Sequence, residues 1–527
     1  MKKVILWLIL GLGFFLRVVS LDAVPNGLTW DEAAIGYNAY SILKTGRDEH
    51  GDFLPLIFKS FGDYKPGFYI YLVAPFVATL GLNEYAVRLP NALFGTLLIF
   101  VVYKLAYLLS KKNQNLSLFV SFSLAISPWA VHFSRGAWEV NVFVCLLSLS
   151  LLYYLKFLKN EASIFVSLIL ASITLVLYQA AKMLTPLFFI LIFLSFRQKS
   201  LDRLKEVFSS KQKIWFLPFI LFGVWLAWGV VFGEAGNRLA TLSIFGYKPA
   251  LADTYFENQA LLTFNLVVSR YLYHFSPEVL FFEGTRIMER AHIPGVGLLN
   301  SLELIPLLLG LFYLAKKFTR QSRYFIFGLL LLSPVPASLT LAEYSPLRAL
   351  FMIVPLSLIA GAGWYYLWTK RKLIFFLLTP IYLVFSLYIF DLYFFHSSSI
   401  FALEFNDGHK QAVQIIKENP TSKVVFTDVY GQPYIYYLFY TGYDPKKYQL
   451  ENDFTSGGLD VGKVGRVGNV EFHQFGLDEL TTQKDTLFIG TEGNINRQFD
   501  IASDNIRLFR QIETKDKKII FRAVITK

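Results

Sequence analysis

The sequence predicts an α-helical polytopic membrane protein of about 11 spans plus interfacial helices, with a small C-terminal α/β extracytoplasmic domain. Composition gives the first reason: 54% of the 527 residues are hydrophobic and only 17% charged, too apolar a balance to hide inside soluble domains. Apolar runs of span length supply the second, recurring between residues 4 and 394. The third is a change of pattern near residue 395, after which short alternating segments replace the long runs. Together these divide the chain into a membrane domain, 1–395, and a soluble domain, 396–527.

The expected spans are 4–21, 89–109, 116–134, 138–155, 162–180, 183–196, 214–233, 296–315, 324–341, 349–367 and 373–394. Each is an uninterrupted apolar stretch approaching the length that a helix needs to cross hydrocarbon. Phe68 to Leu82 is apolar but short, and reads as a re-entrant or interfacial helix. The formal net charge is +12. Its basic residues sit in short clusters between apolar runs, the distribution of cytoplasmic loops rather than of a nucleic-acid-binding face. Lys2 and Lys3 set the N-terminus in the cytoplasm. Alternation then puts Lys111/Lys112, Lys156/Lys159, Arg197 to Lys213, Lys316 to Arg323 and Lys370 to Lys372 on that same side. An odd span count sends the loops 22–88 and 234–295, and the tail, to the outer face. Cys145 is the single cysteine and lies in an apolar run, so the chain has no disulfide framework and no thiolate metal cluster.

In the tail the pattern predicts a helix over His409 to Glu418, strands over Lys423 to Thr427 and Thr486 to Gly490, and a closing hairpin from Ile506 to Ile525 that turns at Lys515-Asp516. The sequence carries no internal repeat of the transporter kind.

With orientation set by the loop cations, the remaining ionisable residues can be placed separately, and they converge on the outer face. Asp31 and Glu32 follow Trp30 in the first outer loop; Asp63 and Lys65 precede Pro66-Gly67, and Arg88 opens the second span. His132, Arg135 and Glu139 fall at i, i+3 and i+7 where one span ends and the next begins. Tyr178 and Lys182 form an i, i+4 pair, and Arg348 sits at the mouth of a later span. Ionisable groups at membrane depth are costly and need partners or a polar ligand.

Transfer from a phosphate-linked donor suits this mixture. A carboxylate accepts the proton of an attacking hydroxyl while lysine and arginine neutralise the departing phosphate. Each residue also has a plainer role: Asp31-Glu32 as a helix cap, Lys182 and Arg88 as snorkelling cations, Arg135 with Glu139 as an ion pair, His132 as packing. The chain offers no convincing metal-ligand set. A flippase or transporter of a lipid-linked envelope precursor is the alternative of a different class. It would carry polar groups through the membrane midplane, whereas these stay near one face. A non-catalytic scaffold for envelope assembly is the third reading.

Over residues 1–395 the sequence resembles the membrane glycosyltransferases of the GT-C fold, family 39 in particular, with its protein O-mannosyltransferases and lipid A aminoarabinose transferases. The resemblance rests on Leu28-Thr29-Trp30-Asp31-Glu32, on Tyr64-Lys65-Pro66-Gly67 where relatives often read Lys-Pro-Pro, and on Glu84-Tyr85-Ala86-Val87-Arg88-Leu89-Pro90. It continues in Ser127-Pro128 followed by Ser134-Arg135 and Glu139, a position usually held by aspartate in relatives. The stretch from His274 through Glu283-Gly284 to His292-Ile293-Pro294-Gly295 also looks like one seen in bacterial members. The resemblance implies a polyprenyl-phosphate sugar donor, an inverting single displacement, Asp31 as the base, and Lys65 and the arginines on the donor phosphate. The acceptor it leaves open among lipid, glycan and protein. GT-C enzymes differ in their use of a divalent metal.

Overall fold

The computed structural model describes residues 1–231, 243–246, 258–284, 289–420, 422–455, 461–495 and 506–527. Parts of the expected outer loop 234–295, and the end of the expected span 214–233, lie outside the described residues. The chain forms two compact units: Met1–Val19 with Asn91–Leu392, and Ser20–Pro90 with Tyr393–Lys527. The first outer loop therefore shares a unit with the C-terminal residues.

The first unit is helical. Its elements include α1 (Lys2–Val18), most of the helix that begins at Glu84, α5 (Gln114–Ala125), α6 (Pro128–Phe133), α7 (Glu139–Phe157), α8 (Ile164–Leu175), α9 (Ala181–Ser195), α10 (Arg197–Ser209) and α11 (Leu217–Val231). Helices Leu304–Lys317, Arg320–Leu332, Ile353–Lys370 and Lys372–Asp391 follow. Among the described residues five helices are long and apolar enough to cross a membrane, or six if α9 and α10, bent by 103°, count as one span. That is fewer than the eleven expected. Each of the other five expected spans contains a helix, but of only 12 to 17 residues. At 1.5 Å per residue, a 12-residue helix such as α8 covers about 18 Å of a hydrocarbon layer about 30 Å thick. Expected span 116–134 is split because Ser127 caps a new helix with Pro128 at its first turn.

Close helix packing here depends on missing side chains. A Cβ on Gly310 would stand 1.9 Å from the carbonyl oxygen of Ile359, and one on Gly363 would stand 1.7 Å from that of Pro306. Small residues let two apolar helices bring their backbones into contact where lipid gives them no hydrophobic reason to associate. Arg17, fully buried, donates to the carbonyls of Gly13, Ala125 and Leu124 and to Ser134 Oγ. Two of those carbonyls close α5, where the helix has no internal donor for them.

The second unit is α/β. It holds α2 (Trp30–Thr45), a hairpin of β1 (Ile57–Ser60) and β2 (Asp63–Pro66), α3 (Phe68–Leu80) and the start of α4 (Glu84–Leu109). Its sheet is built from β3 (Lys423–Phe426), β4 (Arg466–Val467), β5 (Val470–Phe472), β6 (Thr486–Gly490), β7 (Ile506–Glu513) and β8 (Ile519–Thr526), in the order β4-β5-β3-β6-β8-β7. β3 runs parallel to β5 and β6, and the outer pairs are antiparallel. The helix His409–Glu418, β6 and the closing hairpin fall where the alternation of the sequence places them. Val425, Phe488 and Val524 from three neighbouring strands pack with Phe475, Leu480 and Ile495 in one core. α3 has 13 residues, about 20 Å, again short of a crossing.

Candidate functional site

The geometry around Asp31 begins with the start of α2. Thr29 is its N-cap: Thr29 Oγ1 accepts from the backbone N–H of Glu32 at 3.3 Å, and Glu32 Oε2 accepts from that of Thr29 at 3.0 Å. This reciprocal box satisfies two donors that a helix start leaves open. It also fixes the direction of the next residue around the helix, Asp31. Gly36, one turn further on, lets α2 lie against Val87 and Phe439, whose atoms a Cβ there would meet at 2.7 and 2.4 Å.

Glu32 is held from behind. Its carboxylate receives Arg88 Nε at 2.8 Å and Nη2 at 3.1 Å, and both side chains are buried, 1% and 0% exposed. Arg88 also donates to the carbonyls of Leu21, Pro25 and Gly27. One guanidinium thus ties the chain entering α2 to the helix itself, the fork geometry that arginine supplies and lysine cannot. The sequence placed Glu32 beside Asp31 as a catalytic candidate and Arg88 as a site cation. In the structure the two form a sealed lock.

Asp31 faces the other way. Lys65 Nζ donates to Asp31 Oδ1 at 2.6 Å, and the side chains are 23% and 43% exposed respectively. The hairpin delivers the lysine. Its two-residue turn, Phe61-Gly62, has φ of +52° and +84°, the left-handed pair of a type I′ turn that matches the twist of its strands. Phe58 pairs with Lys65 across the strands, and the ammonium lies 5.3 Å from the centre of the Phe61 ring. Gly67 is required by the Phe58 ring, which a Cβ at that position would approach to 2.0 Å. Asp63 opens β2, is buried, and accepts from the backbone N–H of Tyr64 at 2.7 Å.

Beneath the hairpin lies a group of residues that sequence reasoning missed. Glu49 is fully buried; Asn38 Nδ2 donates to its Oε1 at 3.0 Å, and Glu49 N–H donates back to Asn38 Oδ1 at 2.9 Å. Burial pushes its carboxyl up to about 8, with Asn38 and the charge of Lys65 opposing and Asp48 reinforcing. Burial likewise pulls the neighbouring His50 down to about 4. An Asp-Glu-His run in a loop looks solvated in a sequence, and only the fold buries it.

The remaining candidates belong to the first unit. Arg135 is buried and donates to the carbonyls of Leu16 and Val19 at 2.9 and 2.7 Å, closing the C-terminal end of α1. His132 Nε2 lies 2.8 Å from the carbonyl of Arg290, and His292 is buried with its ring against Gly284. Glu139 begins α7. The Tyr178 ring lies tilted against that of Phe143, 5.4 Å between centres, and Lys182 donates to Gln179 Oε1 at 2.7 Å. Arg348 is half-buried and makes a long hydrogen bond, 3.4 Å, to Thr340 Oγ1. Arg270, absent from the sequence-based set, donates to the carbonyl of that same Thr340. Among the described residues no three His, Cys, Asp or Glu side chains gather so as to hold a metal ion.

The chain shares its fold with solved proteins, and part of its sequence matches a known family. Residues 7–234 match the family of dolichyl-phosphate-mannose-protein mannosyltransferases. The structure is similar to that of ArnT from Cupriavidus metallidurans bound to undecaprenyl phosphate, with a TM-score of 0.56 and 13% identity over 98% of this chain and 97% of that one. Apo ArnT gives 0.55 and 12% over the same shares. No curated protein matches the sequence.

Proposed function

We propose that the protein transfers a sugar from a polyprenyl-phosphate-linked donor to an acceptor hydroxyl on the outer face of the membrane, with inversion at the anomeric carbon. One observation carries the reading: the Asp31–Lys65 pair at 2.6 Å on the first turn of α2, in a chain of this fold. Asp31 is the base. It takes the proton of the attacking hydroxyl as the new bond forms to the anomeric carbon and the bond to the phosphate oxygen breaks. The prenyl phosphate leaves with the electron pair, and Lys65 stabilises the charge that grows on it. The resting ion pair gives this order of events a physical basis. An arriving donor phosphate competes for the ammonium and leaves the carboxylate ready to accept a proton. Arg348, with one long hydrogen bond of 3.4 Å, is a second cation for the donor phosphate.

Orientation is read from the loop cations, which all fall on one side when each of the eleven apolar runs is taken as a crossing, with the N-terminus in the cytoplasm and the C-terminal residues outside. A reporter fused after Lys527 should be active only outside the cytoplasm. The decisive experiment is mass spectrometry of lipid copurifying with the full chain, followed by single-turnover transfer from a synthetic polyprenyl-phosphate sugar. Release of prenyl phosphate coupled to acceptor glycosylation is expected. A chain that neither retains nor binds any prenyl phosphate would end this reading.

A further inference from the structure

The carboxyl end of β3 is placed as ligand sites of α/β sheets are. From β3 the chain leaves toward β5, on one side; from the adjacent β6 it leaves toward β7 and β8, on the other. Parallel neighbours whose connections diverge in this way open a crevice beyond their carboxyl ends. There Thr427 continues the ladder by donating its N–H to the Ile489 carbonyl, and the chain then turns from Asp428 to Gly431, with φ of +105° at the glycine.

Among the described residues, two polar atoms at this end are buried without a hydrogen-bond partner: Thr427 Oγ1, on a residue 1% exposed, and Asp428 Oδ1, on a side chain 9% exposed. The other carboxylate oxygen of Asp428 accepts from Lys463 Nζ at 2.6 Å. An unpaired buried oxygen is costly, and such a cost persists where a ligand supplies the missing donor.

Two glycines at this end pack against neighbours of the proposed Asp31–Lys65 pair. A Cβ on Gly431 would stand 2.6 Å from the ring of Trp30, the half-buried residue that precedes Asp31. On the other side Gly462, next to Lys463, donates to the carbonyl of Phe61 at 2.9 Å, and the Phe61 ring underlies Lys65.

We propose that this strand end is the acceptor subsite and that its ligand is a carbohydrate, with Asp428, Lys463 and Thr427 binding hydroxyls and Trp30 stacking on the apolar face of a sugar ring. The assignment rests on the function proposed above and names its acceptor. A carboxylate accepts from hydroxyls, an ammonium donates to them, and an indole covers the C–H face of a pyranose. A peptide acceptor bound by strand addition would need an open edge at this strand. Both edges of β3 are already taken, by β5 and β6.

The test uses the full chain in detergent and two kinds of probe, hexose disaccharides and a Ser/Thr-containing peptide, with binding read by ligand-observed NMR. Wild type should bind disaccharide; Asp428→Asn should weaken it at least tenfold and Thr427→Val several-fold, with affinity for undecaprenyl phosphate unchanged in both. Thr427→Val is the informative partner, because losing an unpaired buried hydroxyl does not harm the fold. In transfer assays Asp428→Asn should raise the acceptor KM with kcat retained. Disaccharide affinity equal in wild type and both variants, binding of the peptide alone, or no saccharide binding at all would each overturn the subsite. Asp428-dependent saccharide binding in a chain that transfers from no prenyl-phosphate donor would keep the subsite and sink the enzymatic reading instead.

Discussion

Asp31 and Glu32 are neighbours on one turn of α2 and stand in opposite surroundings. Glu32 is sealed against Arg88, and every donor of that guanidinium is spent on Glu32 or on the three carbonyls of the entering chain. Asp31, about 100° further round the helix, meets a lysine on a hairpin where both groups keep partial exposure. The difference separates two tasks that an Asp-Glu dipeptide leaves merged. A buried, bidentate pair fixes a backbone, and a half-exposed pair can exchange its partners.

The largest effect that would sharpen this contrast is on rate. Asp31→Asn keeps the shape of the side chain and removes its basicity, so transfer should fall by about 10² to 10⁴-fold with unfolding and prenyl-phosphate affinity unchanged. Single-turnover measurement on purified protein checks this, and wild-type turnover would take Asp31 out of the chemistry.

The sealed side should answer in stability. Arg88→Met strands a buried carboxylate and should cost about 3 to 5 kcal/mol, read as a fall in the unfolding midpoint. Glu32→Gln alone should also destabilise, and the double variant should cost less than the sum of the singles. An Arg88→Met protein of normal stability that no longer binds prenyl phosphate would break the comparison, since Arg88 would then be a ligand residue.

Lys65 comes next. Its replacement by glutamine should lower the transfer rate by about 2 to 4 kcal/mol in activation free energy, more than it lowers donor affinity, because the phosphate charge grows as the glycosidic bond breaks. Arg348→Gln should act in the same sense and less strongly. Arg135→Gln should instead lower stability, since two of its donors close α1. Equal rates in wild type and the Lys65 and Arg348 variants would return both residues to ordinary membrane anchoring.

Part of this site was legible in the sequence: Asp31 and Lys65 both stand among its candidates, and the helix-cap reading of the Asp-Glu pair fits the start of α2. The Phe61-Gly62 hairpin that brings the two together escaped it. The alternation of the tail located β6 and the closing hairpin. What escaped depends on residues far apart in the chain. Asn26 donates to Asp407 across 381 positions, and pairings of that range, which join the first outer loop to the C-terminal residues, leave no periodic trace. Helix boundaries escaped for a related reason. Hydropathy registers apolar runs, but Pro128 and the caps beside it decide where one helix stops and another begins.

The smallest expected effect concerns Glu49, under the hairpin, and it asks whether the exchanging side of α2 rests on a neutral or a charged floor. The carboxyl titrates at about 8 in the fold against an ordinary value of 4.5. Its protonated form is therefore the one the fold favours, and the stability this supplies is complete below about 4.5 and drains away as pH rises toward 8. His50 works in the opposite sense. Its folded value of about 4 lies below the ordinary 6.5, so its contribution is present above 6.5 and is lost as pH falls through 4. Asp48, raised by burial, shares the sign of Glu49. Above pH 6.5 His50 is neutral in both folded and unfolded chains, which leaves the interval from 6.5 to 8 to the carboxyls. Comparing wild type with Glu49→Gln cancels Asp48, along with any other group that titrates alike in the two proteins. Across that interval wild type should lose about 2 kcal/mol relative to the variant, from about 1.4 kcal/mol per pH unit. Unfolding midpoints measured at pH 6.5, 7.2 and 8 would show the wild-type curve falling away from that of the variant. Parallel curves would mean that Glu49 is already ionised under Lys65, and that the hairpin lysine stands between two carboxylates rather than one.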